Sequence, residues 1–472
     1  MQIGTPRFAR NAFYAFAAVL YSFLAIATSA RAAVFRPESF TLANGLQIVI
    51  VQNRLSPAVS QMVWYKVGSA DEPSGLSGLA HYLEHLMFRG TAEVPPGQFS
   101  RLIAGQGGNK NAFTSHDYTA YHEEIAADRL GMIMHLEADR MENLKITPET
   151  ATPELDVVLS EREERTGNSP RGLFRERVQK ALFPGHPYGI PVIGWRSEIE
   201  KITVDDVKNF YRRHYAPNNA AVIISGNVDT AEVLRLAAAT FGRAQKRDVP
   251  LPRSFPEPEM PQEKRIVMTD ARVQQPMLAI YTLAPSYATQ KKNEAYALEV
   301  LNEALDGGEV GLLYKQLVVK KAAASGVGCS YNPSSRSSAE FIFYATPNPG
   351  RSTEELEKIL LQTLRHLAQK GLNAETVAKA KERLSRSAIF ARDSLTAPGY
   401  VFGEALTTDQ TVEDVENWPE AIEKVTAKDV NAALQSLLAN RRRVTGLLLP
   451  ETSGTVPSPE ASAPDDRQTD GR

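Results

Sequence analysis

Cysteine is nearly absent: Cys329 is the only one in a chain of 472 residues. A single thiol excludes intrachain disulfides and cysteine-built zinc modules. Charge of either sign is hardly in excess. With 53 basic and 55 acidic residues the formal net charge is −2, which argues against a nucleic acid or an anionic membrane held by bulk charge. Beyond residue 27 no run of 18 apolar residues occurs, so the rest of the chain contains no membrane-span candidate. Glycine (30) and proline (29) are at ordinary levels, which excludes collagen and wholesale disorder. What remains is a globular chain long enough for two to four domains that fold without covalent staples.

The N-terminus reads as a targeting segment. Arg7 and Arg10 precede an apolar run from Ala12 to Ala27, and Ala30-Arg31-Ala32 is a small-residue cleavage site. This is the pattern of a secretory signal peptide over residues 1–32, cleaved after Ala32. Loss of its three arginines takes the net charge from −2 to −5. No cysteine follows the cleavage site, so a lipid anchor is not expected. An exported chain with one thiol fits a bacterial periplasm.

Two blocks follow. Residues 33–245 form the first and residues 263–450 the second. Between them, residues 246–262 carry Pro250, Pro252, Pro256, Pro258 and Pro261, a semi-rigid linker that neither helix nor sheet interior tolerates. The tail, 451–472, is rich in Ser, Pro, Thr and Asp and is expected to be disordered. The blocks look like distant copies. Thr203-Val204-Asp205-Asp206 caps a helix leading to an apolar strand at Ala220–Ser225, and Thr426-Ala427-Lys428-Asp429 does the same before Val444–Leu449. Asn44-Gly45 is a turn into a strand at Leu46–Val51. Further strands are expected at Met62–Val67 and Met277–Thr282, and helices at Gly78–Phe88 and Ala295–Leu305. Helices on one face of a largely antiparallel sheet, twice over, give an α+β fold of two homologous sandwich domains.

The chemistry is concentrated in His81-Tyr82-Leu83-Glu84-His85. On a helix, positions i and i+4 share a face, so both imidazoles can reach one ion. Imidazoles with one further ligand suit Zn2+, which keeps an open position when the site is catalytic. Glu84, bordering the same face, is the natural general base for a water held there. Leu79, Leu83 and Leu86 would bury the opposite side. The H-x-x-E-H order is that of the inverted zincins.

His81–Thr91, reading HYLEHLMFRGT, resembles the signature of the pitrilysin/insulinase zinc peptidases, nearest the mitochondrial processing peptidase branch and its bacterial relatives. The resemblance extends over about residues 36–450. It includes Gly107–Thr114 (GGNKNAFT), Asp117, Thr119, Tyr121 and His186-Pro187-Tyr188-Gly189. It implies a third ligand about 76 residues after the second histidine, which is Glu161, on a helix expected to start at the Thr152 cap with Pro153 in its first turn. It implies an acid at Glu154, a candidate catalytic residue beside Glu84 as a carboxylate that tunes a ligand, or else an ordinary first-turn acid. Asn111, Ala112, Phe113 and Thr114 correspond to the family's substrate-pairing edge strand. The family also implies a clamshell of four domains, of which this chain supplies half.

The chain departs from the family's pattern in two places. Leu298, Leu301 and Asn302 stand opposite His81, Glu84 and His85, so one Zn2+ per chain is expected and none in the second block. Members with a complete site carry an Arg and a Tyr seven apart in the second half, and Val318 and Ser325 stand there instead. The expectation is a periplasmic zinc endopeptidase subunit, paired with a homologous chain that carries the Arg-Tyr pair, or with a second copy of itself. The alternative is a non-catalytic binding or assembly subunit.

Overall fold

The computed structural model describes residues 34–250, 255, 257 and 263–451. The expected signal peptide, much of the proline-rich segment and nearly all of the expected tail lie outside the described residues.

The first sheet has six strands: β1 (Glu38–Thr41), β2 (Gln47–Gln52), β3 (Ala58–Tyr65), β4 (Asn109–Thr114), β5 (Thr119–Ala126) and β6 (Ala220–Gly226). Their order is β1-β2-β6-β3-β5-β4. β2 and β6 run parallel, and every other neighbouring pair is antiparallel. The second sheet has five: β7 (Lys264–Asp270), β8 (Met277–Ala284), β9 (Ala324–Tyr331), β10 (Ala339–Pro347) and β11 (Arg443–Pro450), in the order β7-β11-β8-β10-β9. Here β7 and β11 are the parallel pair. Removing β1 makes the two topologies identical, so the duplication read from the sequence is present in the strand order.

Seven helices matter below: α1 (Leu79–Leu86), α2 (Pro148–Arg162), α3 (Pro170–Leu182), α4 (Val204–His214), α5 (Lys292–Asp306), α6 (Ala397–Thr407) and α7 (Ala427–Ala439). α4 and α7 occupy corresponding places, and each begins with the same reciprocal cap. The Thr203 and Thr426 N–H groups donate to Asp206 and Asp429 at 2.9 Å, while the threonine hydroxyls accept from the aspartate N–H groups at 3.2 Å.

Both faces of the first sheet are buried, as its apolar central strands demand. Ile48 and Ile50 of β2 face the core that holds α1. Val49 and Val51 face the other way, with Met62, Trp64 and Ile223, onto Phe402 and Leu406 of α6. α6 comes from the second half of the chain. In return, α3 of the first half lays Phe174, Val178 and Leu182 against Tyr281, Val444 and Leu448 of the second sheet. Each sheet therefore relies on the other half for one of its covers. Glycines permit the approach: a Cβ at Gly403 would lie 2.0 Å from the Trp64 ring, and one at Gly446 2.4 Å from the Phe174 ring.

Several boundaries differ from expectation: β3 begins at Ala58 and α5 at Lys292, both earlier than expected, and β8 runs on to Ala284. Two further differences have a clear local cause. β3 ends at Tyr65, because the Lys66 N–H already bonds the Asn219 carbonyl at 2.9 Å and the chain turns into Ser69–Asp71. α2 starts at Pro148, a turn before the expected Thr152. The sequence Thr-Pro-Glu occurs at both places, and the earlier copy is the start: the Thr147 N–H donates to Thr150 Oγ1 at 3.2 Å. Pro153 then lies inside the helix.

Because the two halves share cores, unfolding should be one transition. Gly403→Ala should lower stability by about 1–3 kcal/mol through overpacking against Trp64, seen as a lower urea midpoint at unchanged slope.

Candidate metal centre

α1 is held at its start by a buried acid. Glu72 accepts from the Gly78 N–H at 3.1 Å and from the Ala80 N–H at 2.8 Å, satisfying donors that the first turn leaves without partners. Gly78 has φ +91°, and a Cβ there would meet the Ile193 carbonyl at 2.6 Å. Leu79, Leu83 and Leu86 are buried in the core, each contributing about 1.5–3 kcal/mol. The opposite side of the helix presents His81, Glu84 and His85. α2 crosses α1, tied by the Tyr82 hydroxyl donating to the Ala151 carbonyl at 2.5 Å, and brings Glu161 to the pair.

His85 Nε2 lies 3.1 Å and His81 Nε2 3.8 Å from Glu161 Oε2. One ligand atom from each of the three residues lies within 4.8 Å of the others. Around them stands a polar frame. Glu154 Oε1 lies 2.8 Å from His85 Nδ1, and Arg89 ion-pairs with the same carboxylate. Arg165 Nη1 is 2.7 Å from Glu161 Oε1. Glu84 Oε2 accepts from the Thr114 hydroxyl at 2.5 Å.

The electrostatics fit a cation. Burial and the neighbouring His85 pull His81 down to about 4, which keeps it in the neutral form that ligates metals. Burial also pulls on His85, but the Glu154 and Glu161 carboxylates outweigh it and raise that group to about 9. The carboxylates thus favour a positive charge between them. Glu161 is held below its usual range by its bond to His85, and burial pushes Glu84 up. Two imidazoles and a carboxylate are the donor set of an open zinc site. The cluster suits a single Zn2+, and among the described residues no other group of three ligand-type side chains comes this close.

β4 forms the free edge of the first sheet and borders a cavity of about 730 Å³ that also holds the cluster. The four strand residues behave differently. Thr114 reaches Glu84. The Ala112 N–H, on the open side of the ladder by antiparallel alternation from the bonded Ser115–Tyr118 pair, donates to Oδ1 of its neighbour Asn111 at 2.9 Å. Phe113 turns its ring to the far face, stacked 5.7 Å from Tyr400. Sequence reading missed Arg89, Arg165 and Lys110. Arg165 was legible as the i+4 partner of Glu161, and Arg89 stands in the same relation to His85.

In the second half, Leu298 and Leu301 of α5 are buried in an apolar core. Val318 packs against that core, and Ser325 Oγ lies 3.4 Å from the Thr346 and Pro347 carbonyls.

The chain should bind one zinc. His81→Ala or Glu161→Ala should abolish retention against a moderate chelator. Glu154→Gln should weaken affinity about 10–100-fold, because the carboxylate orients and polarises His85. Metal analysis with chelator competition checks each.

The comparisons agree with this geometry. The family model described as Insulinase (Peptidase family M16) matches residues 47–195, and that described as Peptidase M16 inactive domain matches residues 201–384. A zinc protease of Helicobacter pylori, PqqE, is 33% identical over 347 residues, covering 73% of this chain and 77% of that protein. A zinc protease of Streptomyces coelicolor is 28% identical over 406 residues, covering 85% and 87%. The crystal structure of a protease from Helicobacter pylori superposes with a TM-score of 0.80 at 28% identity, covering 88% of this chain and 99% of that one. The periplasmic protease PqqL of Escherichia coli, at 18% identity and a TM-score of 0.75, shares the fold over 88% of this chain and 47% of its own. With a His-His-Glu cluster suited to catalytic zinc on this fold, the chain belongs to the M16 insulinase family and is a zinc metalloendopeptidase.

Proposed function

We propose that this chain is the metal-bearing subunit of a two-chain periplasmic peptidase, of the bacterial branch resembling mitochondrial processing peptidase, that cleaves extended peptides or unfolded polypeptide. The observation that carries the reading is Glu84, buried between the His81/His85/Glu161 cluster and Thr114 of an open sheet edge. Zn2+ held by those three residues would supply Lewis acidity and an acidified water. Glu84 would take the proton from that water and return it to the leaving amine. Glu154 and Arg89 would hold the His85 ring in the tautomer and orientation that a ligand needs. The outward N–H and C=O groups of β4 would align the substrate as an added strand, which favours extended chain over folded domains. The basic and apolar N-terminal segment with its Ala-Arg-Ala site supports export to the periplasm.

A partner is argued from the second half. Val318 is apolar and Ser325 is engaged with backbone carbonyls, and neither offers a guanidinium's fixed donors. A homologous chain with the Arg-Tyr pair would complete the cleft, and a self-pair is the alternative arrangement.

Glu84→Gln should retain zinc while kcat falls by about 10²–10⁴, measured on a quenched fluorescent peptide. A near-normal rate would remove Glu84 from its role. Ala112→Pro removes an N–H outside the ladder, so it should raise KM several-fold with the fold and zinc content intact. Adding a homologue that carries the Arg-Tyr pair should raise kcat/KM, and mutating its Arg should reverse the gain.

A further inference from the structure

Lys110 is the only charged residue of β4, whose sequence is Asn-Lys-Asn-Ala-Phe-Thr. Strand alternation puts it on the same face as Ala112 and Thr114, the face turned toward α1. Its Nζ sits 3.9 Å from the centroid of the Phe88 ring, just beyond the end of α1. The side chain is half-buried and lines the cavity of the metal cluster.

Three cationic side chains line that cavity, and two are neutralised. Arg89 pairs with Glu154, and Arg165 with Glu161. Lys110 makes no ion pair among the described residues. Two acids, Glu123 and Glu137, act on it from the core, but both are buried and paired with Arg140. Arg140 is itself a like charge, and together with burial it disfavours the ammonium. A half-buried cation without a counter-ion is costly, and in a substrate groove the missing carboxylate can come from the substrate.

We infer that Lys110 is a specificity-determining residue and that the site selects peptides carrying an Asp or Glu shortly after the cleaved bond. The position after the bond is part of the inference, which commits to antiparallel strand addition. A peptide docked antiparallel on β4 runs its C-terminal part from Thr114, beside Glu84, toward Asn109. Lys110 lies roughly 14 Å along the strand from Thr114 at about 3.4 Å per residue, so the acid falls about two to four residues past the scissile bond. The Phe88 ring beneath the ammonium favours it and adds an apolar wall for the carboxylate's stem.

The inference rests on β4 as the docking strand, and the test separates the two. The zinc-loaded, full-length mature Glu84→Gln protein is titrated with labelled decapeptides that differ only in carrying Glu, Gln or Lys at the second, third or fourth position after the central bond. The Glu peptide should bind about tenfold tighter than its Gln counterpart and the Lys peptide weakest, with the spread shrinking as salt rises. Adding Lys110→Glu should reverse the order. If that variant does not fold, Lys110→Met should erase the preference. Equal affinity of all peptides, within twofold and unaltered at Lys110, overturns the inference and leaves β4 as the docking strand. Failure of every peptide to bind overturns both.

Discussion

The crossing of α1 and α2 is the contact on which the rest depends. It sets three carboxylates, from Glu84, Glu154 and Glu161, around two imidazoles in a largely buried space. Such a concentration of negative charge is unfavourable unless a cation sits within it. The same charge raises the pKa of His85 and pairs Arg89 with Glu154 and Arg165 with Glu161 at the rim. A dication answers the same demand more fully, and it does so where a sheet edge can present a peptide. Glu72 and Gly78 fix the start of α1, and the Tyr82–Ala151 bond fixes its angle to α2. Small displacements there would spoil the ligand geometry before they spoiled the fold.

The second half has a different task. Its sheet repeats the first in strand order, yet the helix corresponding to α1 carries Leu298 and Leu301 into an apolar core. Its contribution to the first half is α6, which seals the far face of the catalytic sheet over Trp64 and Phe113. α3 does the same in the other direction. The exchange packs the first sheet against residues more than 170 positions away in sequence, and the edge strand β4 lies between α1 on one face and α6 on the other.

How much of this the sequence contains depends on the range of the interaction. The i, i+4 histidines, the i, i+4, i+7 leucines and the duplicated Thr-x-x-Asp caps are local, and each is where its spacing predicts. Glu161 is not local: nothing around it separates it from Glu163 and Glu164, and only the family spacing singled it out. The start of α2 was misread because Thr-Pro-Glu is written twice and both copies are valid caps. The helix exchange was illegible. Phe174, Val178 and Leu182 announce an apolar face, but no periodicity says which sheet will cover it. Lys110 was hidden for a related reason, since only the folded arrangement shows that it has no ion pair among the described residues.

The most direct test is anomalous diffraction at the zinc edge from crystals of the chain grown with zinc. The account predicts one peak per chain, about 2.0–2.2 Å from His81 Nε2, His85 Nε2 and a Glu161 oxygen, with Glu84 outside bonding distance and Glu154 on the far nitrogen of His85. A peak bonded to Glu84 or Glu154 in place of Glu161, or no peak at this cluster, would contradict it.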